Sequence, residues 1–169
     1  MRPMEILRAP WRMKYIEYVA LKREKGCFIC SAAEKGVGEE SLVLFKGEYG
    51  IVQMNLYPYN TGHLLVSPLR HVSSLGALKD EELLGLIKLV STSIEAVKRA
   101  LNPEGFNVGL NLGRVAGAGL EDHVHFHVVP RWSGDTNFMP IIANTKVIPE
   151  AVIETYRRIA KYRDLIKEK

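Results

Sequence analysis

Apolar and polar positions along the chain follow two rhythms, one near 3.6 residues and one near 2. Over 80–101, Leu83, Leu84, Ile87, Val90, Ile94, Val97 and Leu101 recur at helical spacing, with Asp80 placed to cap the start and Asn102-Pro103-Glu104-Gly105 to stop it. A second amphipathic helix is predicted over 149–169 through Val152, Ile153, Tyr156, Ile159, Tyr162 and Ile166. A shorter one is predicted over 9–25, where Trp11, Tyr15, Tyr18 and Val19 recur and Pro10 suits a first turn. Between them lie strand-like runs. Those at 41–45 and 49–55 are split by Lys46-Gly47-Glu48 and read as a hairpin. Residues 63–67 read as a buried strand between Gly62 and Pro68, and runs at 106–112 and 123–129 are joined by a glycine-rich stretch, 113–119. Strands with hairpin-length joints and one long inserted helix predict an α+β fold on a mainly antiparallel sheet of five strands with flanking helices. A doubly wound parallel sheet would need more helices.

The length of 169 residues predicts one domain over 1–169, with an N-terminal helix and Cys-x-x-Cys segment at 1–40, a core at 41–149 and a C-terminal helix at 150–169. Hydrophobic residues at 47% and charged residues at 25% suit a globular chain with one sizeable core and argue against a disordered one. No apolar run approaches the ~20 residues of a membrane span, and charges interrupt the first eight residues, so neither a membrane partner nor a secretory signal is predicted and the chain reads as cytoplasmic. The net charge of +4 comes with basic residues gathered near both ends. They read as solvated helix faces, since no nucleic-acid-binding motif accompanies them, and no nucleic-acid partner is expected. The mild positive field would attract a polyanionic small substrate.

Candidate chemistry concentrates in the histidines. There are five, and three fall in His123-Val124-His125-Phe126-His127-Val128-Val129-Pro130. On a strand, alternate residues share a face, so His123, His125 and His127 are expected on one side and Val124, Phe126 and Val128 on the other. Three imidazoles in a row gain little from packing, whereas imidazole serves as donor, acceptor, nucleophile or ligand near neutral pH. Two chemistries fit: metal binding with an activated water, or nucleophilic attack on phosphorus with neighbouring imidazoles donating to the phosphate oxygens. In the run before, Asn107, Gly109 and Asn111 alternate with apolar residues, so pairing of the two strands would bring Asn111 to the imidazoles. Glycines 113, 117 and 119 permit close backbone approach to a ligand, as they would in an ordinary glycine-rich hairpin loop. Cys27-Phe28-Ile29-Cys30 holds the only two cysteines and reads as half a zinc site; a redox pair would call for a βαβ setting, which is absent.

His123–Val129 fits the His-x-His-x-His-x-x pattern of the histidine-triad nucleotide-binding family. Asn55-Leu56-Tyr57-Pro58-Tyr59-Asn60-Thr61-Gly62-His63-Leu64-Leu65-Val66 is similar to that family's upstream segment. Residues 105–113 and 130–138 resemble the fragile-histidine-triad branch, nearest to bacterial diadenosine tetraphosphate phosphorylases, and the resemblance runs from about Trp11 to Pro149. It implies a homodimer that cleaves dinucleoside polyphosphates at the α-phosphate, with His125 as nucleophile and a nucleotidyl-histidine intermediate. It further implies that His127 and Asn111 hold phosphate oxygens, Asn55 binds ribose hydroxyls, His63 supports the imidazole row, Leu65 flanks the base and Gly119 belongs to the substrate site. No organic cofactor is implied. Zinc-bearing relatives and the related uridylyltransferases carry a structural site that maps onto Cys27, Cys30, His71 and His123. Many relatives have a Ser, Thr or Gln just before the triad, where this chain reads Gly117-Ala118-Gly119-Leu120. The departure leaves the acceptor open between phosphate (a phosphorylase) and water (a hydrolase). A nucleoside phosphoramidase, a nucleotide-binding regulatory module with little catalysis, and a zinc hydrolase using the triad as ligands are the alternatives.

Overall fold

The computed structural model describes residues 26–143 and 146–169; the helix predicted over 9–25 lies outside the described residues. Five strands, β1 (Val43–Lys46), β2 (Gly50–Met54), β3 (Leu64–Pro68), β4 (Gly105–Leu110) and β5 (Phe126–Arg131), form one sheet in the order β1-β2-β3-β5-β4. Every neighbouring pair is antiparallel, as the strand-and-hairpin pattern predicts. The helices are α1 (Phe28–Lys35), α2 (Asp80–Leu101), α3 (Met139–Ala143) and α4 (Val152–Ala160).

The sheet has two different faces because its strands alternate. Val52, Met54, Leu64, Val66, Phe126 and Val128 point to one side, where they make the main core with α2 and α4. On the other side Ile29 of α1 packs on Val43 and Ile51. Residues directly opposite one another in antiparallel strands share a face. The register therefore lays Gln53, Leu65, His127 and Gly109 in a row across β2, β3, β5 and β4 on this second side, which carries the candidate chemistry.

Three sequence expectations are corrected. The buried side of α2 is Leu86, Leu89, Val90, Ser93, Ala96 and Val97 together with Gly85, whereas Leu84 and Ile87 are 57% and 53% exposed. Small residues let the helix lie close to the sheet: a Cβ on Gly85 would meet the Tyr49 ring at 2.7 Å. Val90, Val97 and Leu101 of the expected stripe are buried and Leu83 and Ile94 pack against the core, so a stripe chosen by large apolar side chains strays from the buried face only at Leu84 and Ile87. The α2 cap also differs, since Lys79 is the N-cap residue and Glu82 accepts from its backbone N–H at 2.8 Å, leaving Asp80 inside the first turn. Finally, α4 stops at Ala160 and gives way to a 3₁₀ turn at Arg163–Leu165. That turn buries Ile166 and brings the Glu168 carboxylate to the Glu48 and Tyr49 amides of the β1–β2 turn, at 2.5 and 3.0 Å.

The loop from β2 into β3 depends on Gly62. Its φ is +78°, and a Cβ there would approach the tip of Leu101 to 2.5 Å, so both backbone sterics and packing demand glycine. This turn delivers His63 to the start of β3.

Candidate functional site

Strand β5 begins at Phe126, so of the three histidines only His127 lies in the regular ladder. The expected core half of the alternation is present: Val124, Phe126 and Val128 are buried. The imidazole half is not a simple row. His123 and His125 precede the strand in irregular backbone, and the three rings divide between two neighbouring centres.

The first centre contains His123. Its Nε2 lies 2.9 Å from the Pro68 carbonyl, which can only accept, so the proton sits on Nε2 and the Nδ1 lone pair faces the other way. There it meets the Cys27 and Cys30 sulfurs at 3.3 and 3.6 Å, and Cys30 Sγ lies 3.4 Å from His71 Nδ1. All four donor atoms fall within 4.8 Å of one another. Tetrahedral zinc with its usual Zn–S and Zn–N bonds sets adjacent donors ~3.5 Å apart, and a Cys₂His₂ set suits that ion, so the residues fit. Burial, with Cys27 alongside, pushes the Cys30 thiol up to about 11 when no cation balances the pair. Local structure brings the ligands together. Cys27 is the N-cap of α1 and its sulfur accepts from the Cys30 amide at 3.5 Å. Arg70, next to His71, is tied to Glu82 at the head of α2 by two bonds of 2.7 Å.

The second centre holds His63, His125 and His127. His63 Nδ1 accepts from the Tyr59 backbone N–H at 3.0 Å, so its proton is on Nε2, 2.9 Å from His127 Nδ1. His127 must accept there, which puts its own proton on Nε2. Asn111 Nδ2 donates to the Gly117 carbonyl at 3.5 Å and lies 3.3 Å from that nitrogen; both groups are donors, so both are available to one acceptor and neither bonds the other. His125 Nδ1 donates to the His123 carbonyl at 2.8 Å, leaving an unprotonated Nε2. The His125 and His127 rings are 5.0 Å apart. Burial pushes His63 down to about 2, and charge on His127 or His125 would push the same way. His125 is also held below the ordinary imidazole range by burial, against the opposing pull of the His123 carbonyl. Both imidazoles are therefore neutral at pH 7, one presenting a lone pair and the other relaying a fixed N–H direction.

Of the other sequence candidates, Asn55 lies 3.2 Å from His63 Nδ1 through its amide and accepts from the Tyr57 N–H at 2.9 Å. Leu65 is 2% exposed and directly opposite His127. Gly119 lies half-buried in the loop that leads to His123 and contributes only backbone. Sequence reading missed Tyr59, whose ring stacks on His127 at 5.4 Å and 21° and whose amide sets the His63 tautomer. It also missed the Pro68 carbonyl that orients His123. Backbone donors and acceptors leave no trace in residue type, whereas Tyr59, four residues before His63, was visible as an aromatic beside a histidine.

A five-stranded antiparallel sheet carrying this imidazole cluster at the start of β5 defines the histidine-triad class, and the chain belongs to the HIT domain family, which it matches over residues 38–134. It is 42% identical over 162 residues to the AP-4-A phosphorylase of Mycobacterium tuberculosis, covering 93% of this chain and 83% of that protein. Among solved structures, a hypothetical histidine triad nucleotide-binding protein of Sulfolobus tokodaii superposes with a TM-score of 0.66 at 24% identity, over 82% of this chain and 92% of that one. A Zn-bound histidine triad family protein of Mycobacterium smegmatis gives 0.65 at 22% identity, over 82% and 94%. At these identities the two structures speak for the fold.

Proposed function

We propose that the protein is a nucleotidyl transferase that cleaves dinucleoside polyphosphates such as diadenosine tetraphosphate at the α-phosphate through His125, with inorganic phosphate as acceptor. One observation carries the reading: His125 Nδ1 is committed to the His123 carbonyl, so the buried, neutral ring offers Nε2 as a nucleophile. In the first step Nε2 attacks the α-phosphorus, a P–N bond forms, the P–O bond to the β-phosphate breaks, and ATP departs from diadenosine tetraphosphate. In the second step an oxygen of inorganic phosphate attacks the same phosphorus, the P–N bond breaks, and ADP leaves with His125 neutral again. His127, with its proton directed to Nε2 by the Tyr59–His63 relay, donates to a non-bridging oxygen as charge grows there, and Asn111 assists from the loop after β4. Asn55 is assigned to the ribose hydroxyls, Leu65 to the base, and Gly119 to backbone approach at the phosphates. Similarity to an AP-4-A phosphorylase favours phosphate over water as the acceptor.

Cys27, Cys30, His71 and His123 are assigned to a structural zinc ion. Bound there, the ion supplies a cross-link with a closed ligand set, and no step of the reaction passes through it. Thiols kept reduced for ligation suit a cytoplasmic setting. A homodimer is proposed as well, with β4 at the edge of the sheet among the described residues and the exposed Val108 and Leu112 supporting an interface along that side.

The test is product analysis with diadenosine tetraphosphate, with and without inorganic phosphate. ADP and ATP formed only when phosphate is present support the phosphorylase. AMP and ATP formed without phosphate would make it a hydrolase, and no cleavage in either condition would overturn the assignment.

A further inference from the structure

Gln53 is the one polar residue of β2, and neither the triad nor the Cys/His cluster uses it. It is 3% exposed, and its side-chain oxygen is buried with no hydrogen-bond partner. A buried amide oxygen left unpaired keeps the full cost of its lost hydration, so a position beside Ile51 and Val52 would be better served by an apolar residue unless something else supplies a donor. Its position says where that donor comes from. Gln53 faces the same side of the sheet as Leu65 and His127, directly opposite Leu65, with Leu65 directly opposite His127. Two strand spacings, about 10 Å, separate it from the His127 position. That matches the order of the span of a nucleotide from its α-phosphorus to the far edge of its base. Asn55 lies two residues on, just past the end of β2. Ser67, next along that face of β3 from Leu65, likewise has a buried hydroxyl with no partner. Leu65 and His125 are as buried as Gln53, so a nucleotide that reaches the nucleophile must open the same face.

We propose that Gln53 reads the base, its amide oxygen accepting from the exocyclic amino group of a purine that lies on Leu65 with its α-phosphate at His125. This deepens the function proposed above and rests on it. Carboxamides pair well with an amino group next to a ring nitrogen, the edge that adenine presents.

The experiment measures binding of AMP and of purine riboside 5′-monophosphate, which lacks the 6-amino group, by calorimetry on the wild-type chain and on Gln53→Leu and Gln53→Met. Wild type should favour AMP by roughly ten-fold, the worth of one good buried hydrogen bond. Both variants should bind the two ligands equally while melting no lower than wild type, because the substitution removes an unpaired amide. An equal preference for AMP in wild type and either folded variant would overturn the role of Gln53 alone. Failure of the wild-type chain to bind AMP at all would overturn it together with the proposed function.

Discussion

At the scale of single residues, the site works through fixed tautomers. A backbone N–H pins His63, His63 pins His127, and a backbone carbonyl pins His125. Replacing His125 with Ala should remove turnover of diadenosine tetraphosphate, a loss of at least ~10³-fold for a nucleophile, while AMP binding measured by calorimetry changes little. Near-wild-type turnover in that variant would sink the covalent route. His63 gives a pH prediction. Its folded value, about 2, lies below the ordinary 6.5 of the unfolded chain, so between those values the unfolded state binds the extra proton and stability rises with pH. Urea unfolding should therefore show stability present above about pH 6.5 and lost on acidification, by up to ~1.4 kcal/mol per pH unit from this group. His63→Gln should flatten that slope; an unchanged slope would remove His63 from the account. The histidines were legible in the sequence by type and spacing. Their division between two centres was not, because it depends on which carbonyl or sulfur each ring meets.

At the scale of elements, the hairpin, the buried strand after Gly62 and the long helix all follow from apolar rhythm and turn chemistry. The exposed Leu84 and Ile87 do not, since side-chain size alone cannot tell that Gly85, Ser93 and Ala96 form the face that fits the sheet. Gly62→Ala should lower stability by roughly 1–3 kcal/mol through its positive φ and the contact with Leu101, seen as a lower melting temperature; an unchanged melting temperature would contradict the turn geometry. The cluster of Cys27, Cys30, His71 and His123, proposed to hold zinc, joins α1 and the loop after β3 to the lead-in of β5. Removing zinc with a chelator, or replacing Cys30 with Ser, should lower the melting temperature before it lowers the rate of the chemical step. Full activity with an unaltered melting temperature in metal-free protein would rule out the zinc assignment.

At the scale of the whole molecule, the fold class was readable because strands with hairpin-length joints and one long insertion admit few topologies. The strand order β1-β2-β3-β5-β4 was not, since it requires knowing that β5 inserts between β3 and β4. That insertion brings His127 beside Leu65 on one side and Gly109 on the other, and so assembles a site from segments far apart in the chain. It also leaves β4 as an edge strand among the described residues. Light scattering should give twice the mass of one chain, and Val108→Lys should shift it towards the monomer; a monomeric wild type would contradict the dimer assignment. The most direct test of the central claim is to mix the protein with diadenosine tetraphosphate in the absence of phosphate, quench in alkali, and map the adduct by mass spectrometry. One adenylyl group on the peptide containing His125, discharged as ADP when phosphate is added, is the predicted result. An adduct on another residue, or turnover with no adduct at any time, would contradict it.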